Sequence, residues 1–152
     1  MFEFDVTDEA VISAQPSVVY AALLAEFEGE TGWWRPWAAF RRRSERATGE
    51  VGAVHEITSR HRSRPVVFVM KTVEIRKNEL IRARYVEGAF RGEGLWKLTA
   101  QENGTNVSYR WRVRPKGLLP WVIALAFDAP KAQSEIMKAG FRALERHLAR
   151  ST

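Results

Sequence analysis

His55 and Tyr85 are the side chains of this 152-residue sequence placed to do acid–base chemistry from an apolar surface. His55 alternates with Ala53 and Ile57, and Tyr85 keeps step with Ile81 and Ala83. On strands, both would point inward with their apolar neighbours. An imidazole near a phenol inside a cavity could serve as general base or acid on a carbonyl compound. The plainer reading of His55, a hydrogen-bonded wall residue, is the default. His61 and His147 complete no local ligand motif, no H-E-x-x-H occurs and cysteine is absent, so neither a metal nor a cofactor is expected. The lack of cysteine also excludes disulfides and thiolate chemistry. No G-x-S-x-G elbow, P-loop or dinucleotide fingerprint is present. Gly92-x-Gly94 falls within a strand pair, where it lets a sheet bend.

The other concentration is aromatic. The stretch GWWRPW, Gly32 to Trp37, holds Trp33, Trp34 and Trp37, half of the six tryptophans. Each indole can bury about 200 Å² at a helix–sheet junction, or it can wall an apolar pocket that carries a few polar groups. Trp96, Tyr109 and Trp111 share the inward phase of two strands, as core or as cavity wall. Met70 sits in VVFVM, which is apolar on both phases, so periodicity does not orient it. Met137 and Phe141 lie on the apolar stripe of the last helix.

Positioning these residues requires the following elements. FEFDVTDEAVIS reads as a strand, and Pro16 to about Phe27 as a helix with proline in its first turn and Ser13 or Gln15 near its cap. Strands follow over Phe40–Ala47, Val51–Arg60, Pro65–Ile75, Leu80–Glu87, Phe90–Gln101 and Thr105–Arg114. Turns at Thr48-Gly49-Glu50, Arg62-Ser63-Arg64, Lys77-Asn78-Glu79 and Asn103-Gly104 separate them, as in an antiparallel meander. In TNVSYRWRVR, Val107, Tyr109, Trp111 and Val113 share one face, and Ser108, Arg110, Arg112 and Arg114 the other. Pro120–Asp128 is apolar nearly all round. Pro130 should kink or break the helix, and Lys131–Arg150 is amphipathic, with Ile136, Met137, Gly140, Phe141, Leu144 and Leu148 as its stripe. A sheet with one apolar face needs a cover, and the long helix supplies it.

Composition sets the outer limits. The length suits one domain, 1–152. The N-terminus lacks the apolar core of a signal peptide, and the longest apolar run, LLPWVIALAF (Leu118 to Phe127), is too short to span a bilayer. A cytoplasmic protein, monomer or homodimer, is expected. The net charge is +6 with 24 basic residues, which raises the question of nucleic acid. A nucleic-acid face interleaves aromatics with its cations, whereas here they alternate to opposite faces, which argues against that partner. LLPWVIALAF beside Lys116 offers a peripheral membrane contact.

The opening SAQPSVVYAALLAEF, the strand pair GEGLWKLTAQENGTNVSYRWRV and the closing IMKAGFRALERHL together resemble the SRPBCC superfamily, the START-like and polyketide cyclase/dehydrase-like proteins, over essentially the whole length. The resemblance implies an α+β helix-grip fold, a curved antiparallel sheet of six to seven strands wrapped around a long C-terminal helix. It also implies an internal cavity for a small hydrophobic molecule such as a lipid, quinone or polyketide. Members of that superfamily are binders or cyclase/dehydrase-like enzymes. No family-wide catalytic motif carries over, so GWWRPW is expected to close one end of the cavity, with Tyr85, His55 or an indole N–H orienting the ligand. The alternatives are an enzyme using His55 with Tyr85, and an interaction module whose cavity is filled by tryptophan.

Overall fold

Alternation of apolar and charged residues builds the sheet. The computed structural model describes residues 3–61, 64–117 and 120–151; for residues 64 and 120–127 it describes the backbone alone. Strand β1 (Phe4–Ile12) leads to helix α1 (Pro16–Glu28). Strands β2 (Ala38–Arg42), β3 (Val54–His61), β4 (Arg64–Arg76), β5 (Leu80–Glu87), β6 (Phe90–Gln101) and β7 (Gly104–Pro115) follow, and helix α2 (Pro120–Arg150) closes the chain. The seven strands form one antiparallel sheet in the order β1-β7-β6-β5-β4-β3-β2. Each hairpin places sequence neighbours side by side, and β1 returns to pair with the last strand, Phe4 opposite Val113. The sheet curls as a half-barrel about α2, which is the helix-grip arrangement.

The two faces separate as the alternation requires. Val107, Tyr109, Trp111 and Val113 are buried, and on α2 so are Ile136, Met137, Phe141, Leu144 and Leu148. On the outer face Arg110 and Arg112 are exposed and pair with Asp5 and Glu3 at the start of the chain, the latter two on and beside β1. Arg82 pairs with Glu74 and Glu93 in the same way. Charge on this face is thus largely matched across strands.

α1 starts where proline permits, with Gln15 extended at its N-cap and Pro16 in its first turn. It ends at Gly29, whose φ of 85° lets its N–H and that of Glu30 return to the last carbonyls of the helix. Two expectations change. β2 ends at Arg42, not Ala47, because the Arg42 guanidinium gathers the carbonyls of Ser44, Glu45 and Arg46. Those groups turn back on the arginine, and β3 begins only at Val54. Pro130 does not end the last helix, since α2 runs through it from Pro120 to Arg150. Phe2, the tip of the Arg62-Ser63-Arg64 turn and the side chains of LLPWVIALAF lie outside the described residues, and so does the membrane contact expected of that run. Among the described residues no helix is long and apolar enough to cross a membrane.

Candidate functional site

The tryptophan stretch is organised by a buried acid. Glu26 shares the apolar face of α1 with Val19, Ala22 and Leu23, yet it is 2% exposed. Its carboxylate accepts the backbone N–H groups of Gly32 (2.6 Å), Trp33 (3.1 Å) and Trp34 (3.0 Å) and the Thr31 hydroxyl (2.5 Å). A buried carboxylate is tolerated when it is satisfied this fully. The cradle fixes the loop that delivers Trp34. The Trp34 indole N–H donates to Ile136 O on α2 at 3.0 Å. Its ring lies where a side chain at residue 140 would stand, so Gly140 makes room for it.

Between sheet and α2 lie two joined spaces. The inner chamber, about 90 Å³, is walled by apolar and aromatic groups, Phe27, Trp34, Phe68, Met70, Trp96 and Met137 among them. The outer chamber, about 500 Å³, is lined by Trp111, Phe90, Val66, His61, Asp128 and Lys131. Ser59, Phe68, Gln133 and Ile136 border both. The outer volume is of the size that holds small organic ligands.

A small set of polar groups faces the inner chamber. His55, 8% exposed, stands in register with Met70 and, across β4, with Tyr85. Met70 therefore separates the imidazole from the phenol, and each is engaged elsewhere. Tyr85 Oη accepts the Trp111 indole N–H at 2.8 Å, and His55 Nε2 lies 2.8 Å from Thr48 Oγ1. The direct His55–Tyr85 pair expected for acid–base catalysis is not formed. Thr48 in turn donates to Glu28, which Arg42 Nε grips through both carboxylate oxygens at 2.9 Å. The Thr48 hydroxyl and the Arg42 guanidinium hold the Glu28 carboxyl below its ordinary range, and burial holds His55 below 6.5.

The Tyr109 hydroxyl lies against the backbone of β6 at a position that only Gly94 leaves free. Burial pushes the Tyr85 phenol up to about 12 and holds Tyr109 well above the usual 10, the latter helped by its neighbour Tyr85. Both therefore remain donors at neutral pH.

Of the residues singled out in the sequence, Trp34, His55, Met70, Tyr85, Trp96, Tyr109 and Met137 line the inner chamber, and Trp111 lines the outer one. Trp33, Trp37 and Phe141 lie elsewhere. Trp33 stacks on Trp34 and His147 and borders a separate surface cleft with Arg146 and Arg150. Trp37 is half-buried against the core cluster, and Phe141 packs edge-on to Trp96 within it. Sequence reasoning passed over Glu28, and it took Thr48 only as a turn residue. No local signal marks either, since their roles come from contacts 7 and 20 positions apart in the chain. Glu26 did carry a signal, an acid at a stripe position of a helix.

The comparisons agree with this architecture. The family described as polyketide cyclase / dehydrase and lipid transport matches residues 3–149. Among solved structures, the chain is similar to the Zhui aromatase/cyclase of Streptomyces sp. R1128 (TM-score 0.80, 10% identity, 98% of this chain and 95% of that one). It is also similar to TTHA0849 of Thermus thermophilus (TM-score 0.76, 21% identity, 98% and 100%). A third similar structure is a START superfamily protein of Mycobacterium smegmatis (TM-score 0.71, 14% identity, 97% and 99%). At these identities the likeness is one of fold. No protein of curated function matches the sequence.

Proposed function

Since the chain belongs to the polyketide cyclase / dehydrase and lipid transport family, we propose that it binds a small hydrophobic molecule between the sheet and α2. The observation that carries this reading is the pair of joined chambers, the inner one walled chiefly by apolar and aromatic groups. Burial of ligand area supplies affinity at about 25 cal/mol per Å² of apolar surface. The hydroxyls of Tyr85 and Tyr109 orient a carbonyl or hydroxyl oxygen. A cyclase or dehydrase would need a convergent acid–base pair, and the separation of His55 from Tyr85 by Met70 favours binding over catalysis by that pair.

Titration with 1,4-naphthoquinone tests the reading, because Trp34 and Trp96 wall the inner chamber and Trp111 the outer one, and the chain has no cysteine to react with a quinone. Saturable quenching of tryptophan fluorescence is expected, weakened at least tenfold by Ala83→Phe, which fills the inner chamber. Linear quenching equal to that of free N-acetyltryptophanamide, with no effect of Ala83→Phe, would count against an accessible chamber.

A further inference from the structure

The Glu28–Thr48–His55 chain has the form of an orienting relay, and it ends on the ligand chamber. Glu28 is a carboxylate gripped by Arg42, so it only accepts hydrogen bonds. The single proton of the Thr48 hydroxyl is therefore committed to Glu28. Thr48 Oγ1 is left as an acceptor, and the contact with His55 requires a proton on Nε2. A neutral imidazole with Nε2 protonated carries its lone pair on Nδ1.

Nδ1 has no hydrogen-bond partner among the described residues. The one side-chain polar atom among them that is both sealed from space and unpartnered is Arg82 Nε. Nδ1 is thus not sealed, and the space that His55 borders is the inner chamber. The loop that holds Thr48 is pinned by the same arginine, through the carbonyls of Ser44, Glu45 and Arg46. Arg42 thereby fixes both the acceptor of the Thr48 proton and the loop that carries Thr48.

We propose that His55 Nδ1 is an acceptor subsite for a hydroxyl group, set by Thr48 and Glu28 as positioning residues, so that the chamber selects hydroxyl-bearing apolar molecules, phenols or alcohols, over their ethers. The inference rests on the binding reading above and adds the chemical class of the ligand. Tyr85 offers a donor on the far side of Met70, two strand spacings or about 10 Å from His55 at the backbone, and Tyr109 offers another from β7, two strands further on. Opposite ends of the chamber thus ask for opposite hydrogen-bonding partners. A ligand ether would leave Nδ1 unpaired against an apolar group, and discrimination is strong where a buried polar group loses its partner.

Calorimetric titration with 2-naphthol and 2-methoxynaphthalene, a pair differing by one O-methyl group, reads the preference directly. Wild-type protein is expected to bind the naphthol at least tenfold more tightly. Thr48→Val should reduce the ratio to within about twofold while the ether binds as before, and Thr48→Ser should restore it. Nitrogen-15 NMR of the imidazole supplies a readout that loss of folding does not mimic. His55 should show the Nε2–H tautomer in the free protein and lose that preference in Thr48→Val. Equal affinity for both probes, or an Nδ1–H tautomer in the wild type, would overturn the subsite and leave the binding reading standing. Failure of both probes and of 1,4-naphthoquinone to bind would overturn the binding reading itself and, with it, the subsite.

Discussion

Tyr20, Tyr85 and Tyr109 are the three tyrosines of the chain, and burial raises all of them. A phenol that must ionise inside an apolar wall loses its hydration, and at Tyr85 the Trp111 indole N–H replaces only part of it. A spectrophotometric titration at 295 nm should therefore show none of the three ionising at the usual 10 while the protein is folded, and all three doing so in urea. The linkage has a definite sign. Between pH 10 and 12 the folded state holds phenolic protons that the unfolded state has released, so stability falls as pH rises through that window. His55 acts at the other end. Its folded value lies below 6.5, so below pH 6.5 the unfolded chain takes up a proton that the folded one resists, and stability falls with falling pH. Urea midpoints across pH 5 to 8 should rise with pH, and His55→Gln should flatten that slope.

At the scale of elements, two attachments hold the walls of the chamber. Trp34 ties the loop after α1 to α2 through Ile136 O and the space above Gly140. Gly140→Ala would place a methyl group inside the indole, and the indole cannot swing away without leaving its hydrogen bond. Overpacking of this kind costs about 1–3 kcal/mol, readable as a lowered urea midpoint with the slope unchanged. Arg42 ties α1 to β2 and to the loop carrying Thr48. Lysine carries the same charge but lacks the planar fork that serves a carboxylate and several carbonyls together. Arg42→Lys should therefore speed amide exchange over residues 43–50 without moving the sheet.

For the whole molecule, a ligand that enters the chambers binds the folded state alone and stabilises it by mass action. At a free concentration of one hundred times Kd the gain is about 2.7 kcal/mol. The unfolding temperature should climb with 2-naphthol concentration and do so far less in Ala83→Phe. A flat response would mean that quenching in the binding assay reports surface contact.

The sequence by itself determined the sheet and its cover. Alternation in β7 assigned Tyr109 and Trp111 to the inner face and Arg110 and Arg112 to the outer, because a period of two allows no other arrangement once one face is buried. The stripe Ile136, Met137, Phe141 and Leu144 likewise assigned α2 to the core. The same periodicities placed His55 and Tyr85 inward, and the structure puts both at the chamber. What they face was decided only in three dimensions. Met70 stands between them because of strand register, which no single strand encodes. Thr48 and Glu28 reach His55 because an arginine draws a loop shut. Trp33, Trp34 and Trp37 are identical in type and nearly adjacent, yet one enters the inner chamber and two do not, since a buried carboxylate sets the course of their loop. Periodicity assigns a face, whereas hydrogen bonds between residues distant in the chain assign a partner.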